Sequence, residues 1–363
     1  MSEDGDLGGL RQRIDALDDE LLRLLSQRAR CAQQVAEVKQ RAGDDAFYRP
    51  EREAQVLRRL AAANPGPLPE AAVTGIFREI MSACLALERP LTVAYLGPPG
   101  TFSQDATQKH FGQAVNCLPQ ATIEQVFREV DAGAADYGVV PIENSTEGAV
   151  THTLDMFLHS PLKVCGEVEL AVHQQLLSGA TDMAGIGVVY SHAQSLAQCR
   201  RWLAGHLPGV RTEAVSSNAE AARRAAGEAG AAAIAGESAG RLYALPRLAA
   251  NIEDEPGNTT RFLVIGRQDT RPSGRDKTSL LLSTGNRPGA LAALLEPLRR
   301  HGLSMTRIES RPARTGRWQY VFFIDIEGHL HDAPVQQALG ELREVTTLCK
   351  VLGSYPRVAG DSA

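Results

Sequence analysis

Cationic side chains interrupt the apolar stripe of a long helix predicted near the N-terminus. Arg28 lies seven residues beyond Leu21 and Lys39 lies eleven beyond Arg28, so all three are nearly in phase on a 3.6-residue period. Cations on a core-facing stripe need anionic partners, which are either acidic residues such as Glu53 or a bound anion. The spacing indicates a candidate site for an anionic small molecule and leaves this choice open.

A second set of candidate residues lies in polar turns next to short β-rich runs. The turns are Gly97–Ser103 (GPPGTFS), Asn144–Gly148 (NSTEG) and Gly257–Phe262 (GNTTRF). A glycine-rich turn that opens a helix presents backbone N–H groups to an anion, and the strand ends of an α/β sheet meet at one crevice. Together the turns predict a ligand cleft, although each one singly is also explained by turn formation and helix capping.

The elements that must position these residues change character near residue 90. Apolar residues recur at three- and four-residue steps from Leu7 to about Arg41, which predicts one long helix. Further helices are predicted from near Pro50 and from about Pro69 to Leu87. Beyond Pro90, β-rich runs alternate with helical stretches, which is typical of an α/β domain. The predicted strands of this domain are 92–96, 138–142, 187–190, 231–235 and 262–265. The predicted helices are 123–130 and 196–203, and residues 164–179 are predicted to cross between two lobes.

The last segment follows a polar stretch, residues 267–277, which is predicted to be a linker. After it, the pattern predicts a βαββαβ order, with strands near 279–283, 305–310, 319–326 and 348–352 and helices near 289–301 and 334–345. The predicted protein is therefore multidomain, with an all-α domain over residues 1–90, an α/β domain over 91–268 and an α+β ferredoxin-like domain over 277–355.

Composition excludes several classes of function. The net charge of -5 is spread over both signs, and no polybasic block marks a nucleic-acid or membrane partner. The acidic start is unlike a signal peptide, and no apolar run approaches the roughly 18 residues that span a bilayer, so a cytoplasmic location is predicted. The six scattered cysteines predict reduced thiols, with neither a disulfide nor a metal site.

Helix length adds a hypothesis about assembly. Arg11 and Lys39 are separated by about 42 Å of straight helix at 1.5 Å per residue. They cannot hold one small molecule from the same chain. If both serve one site, a partner subunit supplies one of them, which predicts an intertwined helical dimer.

Residues in the first 90 positions resemble the all-helical chorismate mutase family. The resemblance rests on Leu10-Arg11, Arg28, Lys39, Pro50-Glu51-Arg52-Glu53 and the end of the third helix. It implies a homodimer through swapped N-terminal helices, with the degree of further association left open. It also implies that Arg11 of the partner and Arg28 hold the substrate carboxylates, that Lys39 faces the ether oxygen, and that Arg52 and Glu53 complete the polar shell.

Two positions depart from the usual mutase pattern. Cys84 stands where a serine is often found, and Glu88 stands where a glutamine would donate a hydrogen bond to the ether oxygen. A carboxylate cannot donate, so we hypothesise that Glu88 acts in its protonated form. The alternative is that Glu88 is a solvated residue at a helix end.

The three polar turns together resemble the prephenate dehydratase family across about 180 residues. Ser191–Ser195 (SHAQS) matches a further family segment, from which Ala193 and Ser195 depart. The resemblance implies two lobes around a cleft, like a periplasmic solute-binding protein. It implies that Thr260 donates a proton to the leaving hydroxyl and that Arg261 pairs with a substrate carboxylate. The remaining implied hydrogen-bonding residues are Thr101, Asn144, Ser145 and Thr146.

The C-terminal segment resembles the ACT regulatory domain over about 75 residues. The matching segments are Asn286–Leu291 (NRPGAL) and Ile308–Pro312 (IESRP). The resemblance implies that phenylalanine binds between paired modules at Gly289, Ala290, Leu291, Glu309, Ser310 and Arg311. The alternative is that Glu309 and Arg311 form only a surface ion pair.

The combined prediction is a bifunctional enzyme that rearranges chorismate to prephenate and then decarboxylates and dehydrates prephenate to phenylpyruvate. Feedback inhibition by phenylalanine is expected, and neither reaction is expected to need a cofactor. Two alternatives stay open at this point: an amino-acid-binding sensor without catalysis, and a dehydratase specific for arogenate.

Overall fold

The computed structural model describes residues 7–43, 48–285, 287–312 and 320–358, and their contacts form two compact units. Of the described residues, the first unit contains 7–43, 48–49, 56–91 and 111–115. The second unit contains 50–55, 92–110 and the remainder from residue 116 onward. Among the described helices, none is both long and apolar enough to cross a membrane.

The N-terminal segment is helical, as predicted. Its helices are α1 (Leu7–Arg41), α2 (Pro50–Ala62) and α3 (Glu70–Ala86). Pro50 occupies the first turn of α2, where the backbone N–H that proline lacks would have no hydrogen-bond partner within the helix. Basic side chains in the last turn of α1 complement the negative end of its helix dipole. Helix α1 buries no residue within this chain. Its exposed apolar residues are Leu7, Leu10, Ile14, Leu17, Leu21, Leu22, Leu24, Leu25, Val35 and Val38.

The second unit begins with a mixed sheet flanked by helices. Its strands are β1 (Thr92–Leu96), β2 (Asn116–Gln120), β3 (Tyr137–Asn144), β4 (Gly148–Ala149), β5 (Lys163–Ala171) and β11 (Thr259–Gly266), and its helices are α4 (Phe102–Phe111), α5 (Ile123–Asp131) and α6 (Thr151–His159). The strand order is β2-β1-β3-β11-β5, with β4 paired to β3. Strand β11 runs antiparallel to both β3 and β5, so the chain returns to this sheet after forming a second one.

The second sheet forms the other lobe. Its strands are β6 (Gln175–Ser178), β7 (Val188–His192), β8 (Arg211–Val215), β9 (Ala231–Ala235) and β10 (Arg247–Ala249), and its helices are α7 (Ala193–Gln198), α8 (Arg200–His206), α9 (Asn218–Gly227) and α10 (Glu237–Leu242). The order is β10-β6-β9-β7-β8. The predicted crossing is confirmed, since β5 and β6 belong to different sheets, and a second crossing at residues 250–258 was not predicted.

One predicted helix is two. The stretch 196–203 divides at Cys199 into α7 and α8, because the carboxylate of Asp254 accepts hydrogen bonds from the backbone N–H groups of Arg201 and Trp202. This is a helix N-cap supplied by a distant residue, which local sequence does not reveal.

The C-terminal module, residues 276–356, has the predicted βαββαβ order. Its elements are β12 (Asp276–Thr284), α11 (Ala290–Arg300), β13 (Met305–Pro312), β14 (Tyr320–Glu327), α12 (Ala333–Val345) and β15 (Leu348–Pro356). The sheet order β13-β14-β12-β15 is antiparallel throughout, which is a ferredoxin-like arrangement. Residue 319 of the third predicted strand lies outside the described residues.

The predicted linker connects β11 to β12 without a helix or strand before Asp276, but it is not loose throughout. Thr270 and Ser273 are buried, and Asp276 and Lys277 are buried at the start of β12. Strand β15 packs on β5 so closely that a Cβ at Gly353 would overlap the backbone of Val164. The polar side chains of this stretch have partners inside the second unit, so their polarity does not mark a loose connection.

Candidate functional site

The polar turns meet at the paired ends of β3 and β11. Asn144 is the register partner of Thr260, and its Nδ2 donates to Thr260 Oγ1 and to Asn258 Oδ1, both at 2.8 Å. Its Oδ1 accepts from the backbone N–H and hydroxyl of Thr146, at 3.0 and 2.6 Å, and from the Glu147 N–H at 3.2 Å. Because three donors surround Oδ1, the amide has one orientation, and Nδ2 must face Thr260.

This orientation determines what the Thr260 hydroxyl does. Its oxygen accepts from Asn144, so its own proton is free for another acceptor. A hydroxyl that accepts a hydrogen bond is a somewhat better donor, because successive hydrogen bonds polarise one another. The geometry suits hydrogen-bond donation to an oxygen that is leaving a ligand.

We call Asn144, Ser145, Thr146, Asn258 and Thr260 the dehydratase cluster. Ser145 belongs to it because its hydroxyl oxygen accepts from the Thr259 N–H at 3.0 Å and lies 3.5 Å from Asn258 Oδ1. Every side chain in the cluster is a neutral amide or hydroxyl. Any action of the cluster on a ligand must therefore come from the direction of its hydrogen bonds.

Sequence reasoning missed the glutamines that join this cluster to the second lobe. Gln198 Oε1 accepts from Asn258 Nδ2 at 3.3 Å, and Gln198 Nε2 donates to Thr146 Oγ1 at 3.4 Å. Gln174, buried in the crossing between β5 and β6, donates to Gln198 and to Ser195 Oγ. The sequence offered one signal for each. Gln198 stands at the end of the helix that begins within Ser191–Ser195, and Gln174 stands between two buried strands.

Two further residues predicted for the cleft, Thr101 and Arg261, have partners outside this cluster. The Thr101 hydroxyl bonds to the carbonyls of Leu96 and Pro98 in its own turn. That turn packs against α10, since a Cβ on Gly100 would lie 3.3 Å from Ala239 Cα. The turn therefore joins the two lobes.

Arg261 points to the face opposite Thr260, because successive side chains of a strand alternate. Its guanidinium forms ion pairs of 2.8 Å with Glu167 and with Asp325, and its side chain is 12% exposed. Burial acts to lower the pKa of Arg261, but Tyr355, Asp325 and Glu167 raise it by more, so the group stays charged. The predicted contact with a substrate carboxylate would require these ion pairs to open.

The mutase residues of the first unit form a different kind of site. Arg28 Nη1 on α1 donates to the sulfur of buried Cys84 on α3 at 2.9 Å. Arg28 and Lys39 are half-buried, whereas Arg11 near the start of α1 is exposed. In the first turn of α2, Arg52 is exposed and Glu53 is half-buried, and both belong to the second unit.

Glu88 has the environment that favours a neutral carboxyl. Its Oε2 is buried without a hydrogen-bond partner among the described residues. Burial raises the pKa of Glu88, and the positive charge of Lys39 opposes this by a smaller amount. The protonated form is favoured relative to a solvated glutamate.

The residues predicted to bind phenylalanine lie at two places in the C-terminal module. Gly289 adopts a left-handed conformation (φ 79°) immediately before α11, which begins at Ala290, and Leu291 is exposed. On β13, Glu309 is half-buried and Ser310 is exposed. Asn286 of the matching segment lies outside the described residues.

Arg311, the remaining residue of this set, is engaged with α6. It pairs with Asp155 at 3.4 Å and donates to the Thr151 carbonyl at 2.9 Å. Both partners of Arg311 therefore lie on α6. The sequence had left open an ion pair between Arg311 and Glu309, and the structure shows Asp155 in that role instead.

Comparison with known proteins agrees with these three parts. Residues 10–89 match the family model for chorismate mutase type II, residues 93–270 that for prephenate dehydratase, and residues 278–344 that for the ACT domain. The chain is 56% identical to the bifunctional chorismate mutase/prephenate dehydratase of Stutzerimonas stutzeri and 55% identical to that of Pseudomonas aeruginosa. Each alignment covers 98% of this chain and 99% of the relative.

A solved structure shows a similar fold over three quarters of the chain. Prephenate dehydratase from Arthrobacter aurescens, in complex with L-Phe, is 33% identical and superposes with a TM-score of 0.69. The match covers 75% of this chain and 92% of that one. From its full-length relatives and the order of its domains, the chain belongs to the family of bifunctional chorismate mutase/prephenate dehydratases.

Proposed function

We propose that this protein rearranges chorismate to prephenate in its helical segment and converts prephenate to phenylpyruvate in its two-lobed segment. The observation that carries the second activity is the fixed amide of Asn144, which leaves the Thr260 hydroxyl free to donate. The full-length relatives support both activities. The cytoplasmic location predicted from the sequence stays a prediction.

In the dehydratase step, the ring carboxylate leaves as carbon dioxide and its bonding electrons complete the aromatic ring. The ring hydroxyl takes up one proton and leaves as water. Thr260 donates to that hydroxyl, and Asn144 holds Thr260 in the donating orientation. Ser145, Thr146 and Thr101 remain proposed substrate contacts, with Thr101 acting from the turn that joins the lobes.

In the mutase step, bonds rearrange within one molecule, so the site needs cations and hydrogen-bond donors. Arg28 and Arg11 hold the two carboxylates, and Lys39 faces the ether oxygen. Protonated Glu88 donates to the same oxygen, which its raised pKa supports. Cys84 orients Arg28, while Arg52 and Glu53 complete the polar shell.

The active form is a homodimer in which N-terminal helices are exchanged. Two features support this: the apolar residues that α1 leaves exposed, and the span of about 42 Å between Arg11 and Lys39. The partner then covers the apolar face and supplies Arg11. Association beyond the dimer stays open.

Phenylalanine inhibits the enzyme by binding to the C-terminal module. The relative from Arthrobacter aurescens, which shares this fold, was solved in complex with L-Phe. The proposed contacts are Gly289, Ala290, Leu291, Glu309, Ser310 and Arg311. A left-handed glycine before α11 leaves backbone N–H groups available for a carboxylate.

The test is a time course with purified protein and chorismate, following prephenate and phenylpyruvate separately, with and without phenylalanine. Phenylpyruvate that appears after prephenate and is suppressed by phenylalanine is the expected result. Prephenate that accumulates alone would point to arogenate as the second substrate, which the same assay with arogenate would detect. No consumption of either compound would favour an amino-acid sensor.

A further inference from the structure

The strand pair that carries the dehydratase cluster has a second face. Asn144 and Thr260 are register partners, and so are the adjacent residues Glu143 and Arg261. Because side chains alternate along a strand, Glu143 and Arg261 point away from Asn144 and Thr260. Both of these outward residues are bound by side chains of the C-terminal module.

The first of these contacts is a buried ionic network. Arg261 pairs with Asp325 of β14 and with Glu167, whose side chain is fully buried. Lys277 of β12 also pairs with Glu167, at 2.9 Å. Two cations thus balance two carboxylates, and Ser279 donates to Asp325 at 2.6 Å. Such a network keeps one geometry, because losing any partner leaves a buried charge unpaired.

The second contact is a single ion pair between the same two parts of the chain. Arg307 Nε on β13 donates to Glu143 Oε2 at 2.7 Å. The Arg307 side chain is 10% exposed, and the Glu143 side chain is 41% exposed. The contact therefore fixes the residue that immediately precedes Asn144.

The backbone at this end of the sheet has a reason to need such support. The β3–β11 register shifts between Arg261 and Phe262, so the ladder is irregular one residue from Thr260. A displacement of about 1 Å between reacting groups can cost about 10²-fold in rate. The distance between Asn144 and Thr260 is therefore sensitive to whatever holds their neighbours.

We infer that Arg307 and Asp325 of the C-terminal module are positioning residues for the dehydratase reaction, acting through Glu143 and Arg261 on the Asn144–Thr260 pair. This rests on the proposed role of Thr260 and Asn144. It assigns Arg261 to holding the strand rather than the substrate. It also gives a ligand on the C-terminal module a direct physical route to the cleft.

The first experiment compares Arg307→Gln, Glu143→Gln and the double variant in the full-length enzyme with prephenate as substrate. Each single variant should lower dehydratase kcat about ten-fold with KM changed by less than about two-fold, and the double variant should be no slower than either. Asp155→Asn is the matched control, since it weakens another ion pair to this module, that of Arg311, from helix α6 and not from β3. It should keep kcat within about two-fold of wild type.

Asp325→Asn tests the buried network by the same comparison of kcat and KM. If that variant does not fold, the Arg307 and Glu143 variants alone decide whether the inference stands. A kcat unchanged in both Arg307→Gln and Glu143→Gln would overturn the inference, and an Asp155→Asn enzyme as slow as Arg307→Gln would also do so. The latter result would mean that any weakening of the contact lowers the rate.

A second cycle separates positioning from general stability. In an Asn144→Ala background, Arg307→Gln should change single-turnover rate by less than about two-fold, because the group it positions is gone. Its effect on the thermal midpoint should be the same in both backgrounds. A ten-fold loss that persists without Asn144 would contradict the inference. An Asn144→Ala enzyme with a normal rate would instead refute the proposed role of Asn144.

Discussion

The helical segment and the two-lobed segment hold their candidate residues in opposite ways. The dehydratase cluster consists of neutral amides and hydroxyls whose partners all come from one chain, and the orientation of Asn144 follows from the donors around it. The proposed mutase residues are mostly charged, and three of them, the cations Arg11, Arg28 and Lys39, lie along α1, which buries nothing within its own chain. On the proposed roles, one site works through the direction of hydrogen bonds, and the other works through charge.

This difference determines what each site tolerates. Removing the aligned donor from a neutral cluster should lower its rate by the contribution of that one hydrogen-bond donation. A charged site responds to the loss of a cation, to a change in protonation and to the presence of a partner subunit. The following substitutions test this contrast.

The largest effect is expected from Thr260→Ala. Dehydratase kcat should fall about 10³-fold because the leaving hydroxyl loses its donor, while mutase kcat stays unchanged. Thr259→Ala is the neighbouring control, since that hydroxyl lies 3.4 Å from the Gly257 carbonyl, outside the cluster. Steady-state assays with prephenate and with chorismate measure both activities. Near-normal phenylpyruvate formation by Thr260→Ala would exclude the proposed role.

The next effect tests whether the mutase site is shared between chains. Arg11→Ala and Arg28→Ala should each lower mutase kcat about 10²-fold. When equal amounts of the two variants are unfolded and refolded together, about a quarter of wild-type activity should return, because half of the dimers are mixed and each has one intact site. If both residues act from one chain, the mixture stays as slow as its components.

A smaller effect separates the two sites by pH. On the proposed role of protonated Glu88, mutase activity should fall as the pH rises through the raised pKa of that group, reaching about a ten-fold loss one unit above it. Glu88→Gln donates at every pH, and its profile should be flat over the same range. Glu70→Gln, at the exposed start of α3, is the control and should retain the decline. Identical profiles for wild type and Glu88→Gln would show that Glu88 is not the donor.

The smallest effect concerns Cys84. In Cys84→Ser the hydroxyl accepts the same hydrogen bond from Arg28, so mutase kcat/KM should change by less than about three-fold. Cys31→Ser, on the exposed side of α1, serves as the reference substitution. A loss of more than about ten-fold in Cys84→Ser alone would mean that the site needs the larger sulfur atom to hold Arg28.

Most of the secondary structure followed from local pattern. The bounds of α1, β1 and β9 agree with the prediction, because a long periodic run without proline favours a helix and short apolar runs bounded by turn residues favour strands. The errors occurred where a distant group intervened. Asp254 divides the helix at Cys199, and within the predicted linker Thr270 and Ser273 are buried although its composition had suggested exposure.

The candidate sites divide in the same way. Sequence by itself determined that Asn144 and Thr260 stand in polar turns beside strands, because turn chemistry is a local property. The pairing of β3 with β11, which brings the two residues together, belongs to the tertiary structure. Sequence also determined the alternation that sends Arg261 to the other face. Only the tertiary structure decided what covers that face. Asp325 lies more than 60 residues along the chain from Arg261, and Arg307 lies more than 160 residues from Glu143. No local sequence period specifies pairings over such distances.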